Sequence, residues 1–137
     1  MLRNRPKRPS TYKPNRRRAA FLVAEPAAAG LLLDQRLERL IATFGSNRVA
    51  ELLGVSPSQP SRWRRGAERI SADRQRALLD LDYVMARLLH LFPKEQAEIW
   101  LTSHNAHLGA RPIDALRLTG AATVVRTIDA EAQDAYA

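Results

Sequence analysis

The amino-acid sequence predicts an all-α protein: a helix-turn-helix domain joined by a long helix to a small helical domain. Three observations carry this prediction. Apolar residues recur at the three- and four-residue spacing of a buried helix face through most of the chain after residue 30. Glycine, serine and proline stand where those stretches start and stop. No stretch alternates apolar and polar residues as a half-buried strand does, and no internal repeat is visible.

The first element in chain order is a basic arm, residues 1–19. Pro6, Pro9 and Pro14 interrupt Arg3, Arg5, Lys7, Arg8, Lys13, Arg16, Arg17 and Arg18, with no acid among them. Such a segment cannot bury apolar surface and is expected to be disordered on its own. It is either an arm that adds nonspecific phosphate contacts or a solvated leader. Its cations equal the whole formal net charge of +8, so the remaining residues sum to neutral. Arg16-Arg17-Arg18 before an apolar run has the outline of a twin-arginine export signal, but Glu25 and Pro26 interrupt that run too early.

Residues 20–70 form the helix-turn-helix domain. A helix over Leu31–Phe44 has Leu32, Leu33, Leu37, Leu40 and Ile41 at helical spacing. Gly45 ends it, and Ser46 can cap the next. The stretch from Arg48 to Ile70 then reads as the helix-turn-helix itself. Its first helix spans Asn47–Leu53, with Val49, Leu52 and Leu53 inward, and Gly54 ends it in the left-handed conformation that glycine adopts at no steric cost. Val55 plugs the turn. Two starts are open for the second helix. Either Ser56 caps it by accepting from the Gln59 amide, with Pro57 at the first helical position, or Ser58 caps it and Pro60 falls in the first turn. Trp63 would fix that helix to the core, and Gly66 closes it.

Ser58, Gln59, Ser61, Arg62, Arg64 and Arg65 are left to face outward. Hydroxyls, an amide and guanidiniums are the groups that read base edges and hold phosphates, so these six are the expected DNA-binding residues. Arg62 and Arg65 suit phosphate or guanine, and Ser58, Gln59 and Ser61, nearer the helix start, suit base reading. The charge distribution agrees. From Ser46 to Arg76 the bases Arg48, Arg62, Arg64, Arg65, Arg69, Arg74 and Arg76 outnumber Glu51, Glu68 and Asp73, whereas acids outnumber bases from Ala77 onward. One end suits phosphate, and the other suits a different partner.

Residues 71–92 form the connecting helix, from about Ala72 to Leu91 after a Ser71 cap. Its inner stripe is Leu78, Leu81, Met85, Leu88 and Phe92, widened by Leu79, Val84 and Leu89. A stripe this broad packs on two partners at once and makes this helix the expected homodimer surface. Asp80 and Asp82 read as its solvated face. Pro93 opens the last domain, residues 93–137. A helix over Lys94–Leu101 carries Ala97, Ile99, Trp100 and Leu101, and a loop follows over Thr102–Gly109. A short helix spans Ile113–Leu118, with Gly120 as its stop. The last helix runs from Ala121 to about Ala132 with Val124, Val125 and Ile128 inward, and Gln133–Ala137 has no evident core role.

The chain has no cysteine, which excludes disulfides and thiolate metal sites and fits a reducing cytoplasm. No apolar run approaches the roughly 20 residues of a membrane span. His104 and His107 stand three apart, but zinc takes at least three protein ligands as a rule, and no partner set accompanies them. No metal or cofactor is therefore expected. There is no glycine-rich phosphate loop, no paired carboxylate site and no nucleophile–base set, so no catalytic residue is assigned and the chain is not read as an enzyme.

The C-terminal third carries a resemblance. Ala97, Trp100, Leu101, Asn105, Leu108, Gly109, Arg111, Pro112, Asp114 and Leu116, followed by Val124, Val125 and Ile128, stand in an order similar to the toxin-binding domain of Xre/MbcA/ParS-type antitoxins. The helix-turn-helix resembles the Xre-type domain of the same family. One departure is visible: many members have a second glycine before the arginine, whereas here Gly109-Ala110-Arg111 leads directly to Pro112. The resemblance implies an antitoxin that neutralises a cognate RES-domain toxin, an NAD-consuming enzyme, and represses their shared promoter DNA. It further implies that Trp100, Asn105, Arg111, Pro112 and Asp114 shape the toxin-binding domain. Asp134, Tyr136 and Ala137 would then enter the toxin's NAD cleft, where carboxylates meet groups that hold phosphates. The alternative is a stand-alone helix-turn-helix repressor whose C-terminal part dimerises or senses a ligand.

Overall fold

Seven helices and no strand make up the described part of the chain, residues 26–135 of a computed structural model. They are α1 (Pro26–Phe44), α2 (Ser46–Leu53), α3 (Gln59–Arg64), α4 (Ala72–Leu91), α5 (Lys94–Thr102), α6 (Pro112–Thr119) and α7 (Ala121–Ala135). The arm at 1–19, Tyr136 and Ala137 lie outside the described residues. Residues from Leu32 onward form one compact unit.

Each boundary has a local cause. Helix α1 is described from Pro26, five residues before the apolar spacing alone predicts. Ser71 caps α4 by accepting a hydrogen bond from the Arg74 amide at 3.4 Å. Pro93 precedes α5, and Pro112 stands in the first turn of α6. Helix α7 runs three residues beyond the expected Ala132.

Helix α4 is the spine. It packs on α2, α5, α6 and α7, and Leu78, Leu81, Val84, Met85 and Leu88 are buried to 1% exposure or less. Full burial of such side chains contributes about 1.5–3 kcal/mol each. Around them lie Leu37 and Leu40 of α1, Val49, Leu52 and Leu53 of α2, and Trp63 of α3. Ala97, Leu101, Ile113, Leu116, Val124 and Ile128 complete the same cluster from the C-terminal side.

Three expectations are corrected. Asp82 is not solvated: it is 2% exposed. Its carboxylate accepts from Arg36 Nη1 at 2.5 Å and from Arg39 Nε and Nη2 at 3.1 and 2.6 Å, tying α1 to α4. The hydrogen bond to Asp82, and then its charge, raise the Arg39 pKa above its ordinary value. Leu32, read at the helical spacing of its stripe, and Ile99, an apolar member of its helix, are 48% and 59% exposed because they fall off the stripes formed by Leu33, Leu37 and Leu40 and by Ala97 and Leu101. Leu79 and Leu89 likewise flank the α4 stripe at the surface.

Candidate functional site

Helices α2 and α3 pack against each other across a short turn, and that turn is built from backbone bonds. Gly54 sits at φ 68°, and its N–H bonds back to the carbonyls of Ala50 and Glu51. The Val55 N–H bonds to the Ala50 carbonyl at 3.0 Å, which draws the half-buried Val55 side chain against the core. Helix α3 starts at Gln59, with Pro60 buried in its first turn. The chain thus follows the Ser58 start and not the Ser56 one. Ser56 does not accept from the Gln59 amide through its hydroxyl. Its carbonyl takes that amide at 3.0 Å, and its own N–H donates to Gln59 Oε1 at 3.1 Å. Nor does the Ser58 hydroxyl cap the helix, because it accepts from Arg62 Nη1 at 2.5 Å instead.

Trp63 is buried at 4% exposure and anchors α3. Ser58, Arg64 and Arg65 are exposed, and Gln59, Ser61 and Arg62 are half-buried. The Ser61 hydroxyl shares a hydrogen bond with that of Ser46 at 2.9 Å, which joins the starts of α2 and α3. Two carboxylates that sequence reasoning did not assign hold this face. Glu68 lies 3.6 Å from Arg62 Nη2 and accepts from Gln59 Nε2 at 3.4 Å, and Glu38 of α1 accepts from Arg64 Nε at 2.5 Å. Arg65 bonds only the Ser61 carbonyl among the described residues. Of the three arginines on this face, Arg62 and Arg64 therefore meet carboxylates, and Arg65 meets none among the described residues.

The C-terminal part is organised by Glu131 of α7. Its Oε2 accepts from the Trp100 indole N–H at 2.6 Å, and its Oε1 accepts from Asn105 Nδ2 at 2.8 Å. Asn105 is buried, and its side-chain oxygen accepts the backbone N–H groups of His107 and Leu108. Its own N–H donates to the Ala110 carbonyl at 2.9 Å, closing the 103–110 loop at Gly109, which takes φ 65°. Trp100 and Asn105 thus meet through a residue 31 and 26 positions away, respectively. Arg111 and Asp114 pair through two bonds, at 2.7 and 3.0 Å. The bond from Arg111 holds the Asp114 carboxyl below its ordinary range. Pro112 is buried. Asp134 is exposed on the last turn of α7.

The two parts are joined at α2. Arg117 of α6 donates to the carbonyls of Glu51 and Leu52 at 2.8 and 2.7 Å, adding a second donor to Glu51 and satisfying the Leu52 acceptor that the helix end leaves orphaned. Arg48 of α2 lies 3.5 Å from Glu98 of α5, and Lys94 stands over the Phe44 ring at 5.8 Å. Beside Arg117 an open cleft of about 550 Å³ is lined by Arg76, Asp80, Leu118 and Gly120 among others. Burial there raises the Asp80 pKa, against the opposing charge of Arg76.

Glu131 and Asp82 left one signal in the sequence. Each is an acid on an apolar stripe, Val124–Ile128–Glu131 in one case and Leu78–Asp82–Met85 in the other.

Comparison with known proteins bears on both parts. Residues 87–133 match the model of the antitoxin Xre/MbcA/ParS C-terminal toxin-binding domain. The chain is 31% identical over 101 residues to the mycobacterial cidal antitoxin MbcA of Mycobacterium bovis and of Mycobacterium tuberculosis. The match takes in 73% of this chain and 88% of each relative. No solved structure matches the chain significantly.

Proposed function

The chain belongs to the family of Xre/MbcA/ParS antitoxins, and we propose that it neutralises a cognate NAD-consuming toxin of the RES type and represses their shared promoter. The observation that carries the reading is the course of α7. Its last fully buried residue is Ile128, yet the helix continues to Ala135, with Gln133, Asp134 and Ala135 exposed. An extension with no core of its own to cover is suited to enter a partner's cleft. In this reading Asp134, Tyr136 and Ala137 occupy the toxin's NAD site. There a carboxylate replaces a phosphate in charge-assisted bonds to cationic groups.

The helix-turn-helix supplies the second activity. Arg62 and Arg65 contact phosphate or guanine, Ser58, Gln59 and Ser61 read bases, and Arg64 supports the basic face. A recognition helix of six residues spans few base pairs. A second copy of the chain, docked on the outer face of α4 through the exposed Leu79 and Tyr83, would supply the other half-site. In domain terms, residues 20–70 bind DNA, 71–92 connect and dimerise, and 93–137 bind the toxin.

The test is co-expression with the protein encoded by the adjacent reading frame, recording complex formation, growth and NAD level. A stable complex that restores growth and NAD supports the reading, and deletion of Gln133–Ala137 should then weaken neutralisation while leaving DNA binding intact. Absence of both complex and toxicity would overturn the antitoxin half and leave a plain repressor.

A further inference from the structure

We infer that Glu131 is the positioning residue that aims the end of α7 at its partner, an inference that rests on the proposed role of that end. Beyond Ile128 the helix has no fully buried side chain: Ala132 is half-buried and residues 133–135 are exposed. From Ile128 to Ala135 a helix rises about 10 Å, so a tilt of about 20° at Ile128 would carry its tip roughly 4 Å sideways. Apolar packing, reduced to the half-buried Ala132, opposes that tilt only weakly, so polar contacts must supply most of the restraint.

Among the described residues, two side chains of this end make such contacts. Asp129 pairs with Arg87 of α4, but both side chains are close to half exposed, where an ion pair restrains little. Glu131 is different because its partners are themselves fixed. Trp100 stands on α5 with its ring packed against the core, and Asn105 is buried with its oxygen committed to two backbone amides. The two N–H groups therefore form a rigid fork, and each oxygen of Glu131 takes one prong, at 2.6 and 2.8 Å.

The chemistry requires a carboxylate. The Trp100 Nε1 and Asn105 Nδ2 atoms are donors only, so the group between them must offer two acceptors. Glutamine offers one oxygen and turns an NH₂ toward the other donor, so the near-isosteric Glu131→Gln should release one prong while leaving size and packing almost unchanged.

The experiment is a double-mutant cycle on the full chain, measuring affinity for the protein encoded by the adjacent reading frame. It compares the parent, Glu131→Gln, a chain ending at Ala132, and the combination. Glu131→Gln is expected to weaken binding about tenfold, the scale of one charge-assisted hydrogen bond. In the shortened chain the same substitution should have no further effect, since there is no end left to aim. Amide hydrogen exchange should accelerate over residues 129–135 in Glu131→Gln and stay unchanged around Leu88 and Val124.

A loss that persists in the shortened chain would mean that Glu131 acts through the 103–110 loop, and would overturn the inference while leaving the role of the end intact. Unchanged exchange over 129–135 would also overturn it. If the shortened chain binds as tightly as the parent, the role of the end falls and this inference falls with it.

Discussion

Replacing Asp82 by asparagine should destabilise the fold by about 2–3 kcal/mol, whereas the same replacement at Asp80, two residues away, should be neutral or slightly stabilising. The Asp82 side chain is 3% exposed and accepts three hydrogen bonds from two guanidiniums. Breaking a buried pair by removing one partner costs about 3–5 kcal/mol when the remaining charge stays dry. Here the stranded charges are Arg36 and Arg39, whose side chains are 38% and 59% exposed, so water recovers part of the loss. For a chain of this size that is a fall in melting temperature of about 8–12 °C. Asp80 has no hydrogen-bond or ion-pair partner among the described residues, and burial raises its pKa. A carboxyl whose pKa is raised on folding holds its proton more tightly in the folded state. Its ionisation therefore opposes folding above the folded pKa, and that penalty disappears as pH falls below the unfolded value. Removing the charge at neutral pH lifts the same penalty, at the cost of a weak attraction to Arg76. Urea midpoints at pH 7, read at constant slope, separate the two outcomes. An Asp82→Asn chain within about 0.5 kcal/mol of the parent, or an Asp80→Asn chain destabilised as much as Asp82→Asn, would refute the reasoning.

Other perturbations test the remaining parts. Glu68→Gln should tighten binding to promoter DNA several-fold and steepen its salt dependence by up to about 0.9 in log–log slope, because Arg62 is released to a phosphate. Arg65→Ala should flatten that slope by a similar amount, and fluorescence anisotropy across a salt series reads both. Gly54→Ala should cost about 1–2 kcal/mol in thermal unfolding, from the left-handed backbone at φ 68° and from a new Cβ 3.3 Å from Arg117 Cζ. The loss should shrink in an Arg117→Ala background. Asp114 should titrate below its ordinary value of 3.8 by NMR and return toward it in Arg111→Ala. Its folded pKa is lowered, so the pair's contribution is present above the ordinary value and is lost as pH falls through the folded one.

What the sequence made legible and what it hid follow from the range of the interactions. The ends of α2, α4, α5 and α6 were readable because glycine, serine and proline act on their own neighbours. The sequence offers both Ser56 and Ser58 as the start of α3. The structure starts the helix at Gln59, with Pro60 in its first turn and buried against the core, a packing contact that local residue types do not encode. Asp82 and Glu131 show in the sequence only as acids on apolar stripes, and what they bind is not readable there, because their partners lie 43 and 46 positions away in one case and 26 and 31 in the other.

The same distinction changes what the C-terminal motif means. Asn105 and Pro112 are buried and Trp100 is half-buried, and two of the three are fastened to α7 through Glu131. Substitutions there would reach a partner by deforming the 103–110 loop and the end of α7, so weakened neutralisation should come together with lowered stability. Asp134 is exposed and has no hydrogen-bond or ion-pair partner among the described residues, so its substitution should weaken neutralisation with stability unchanged. A residue for which the two effects separate contacts the partner, and one for which they travel together builds the platform.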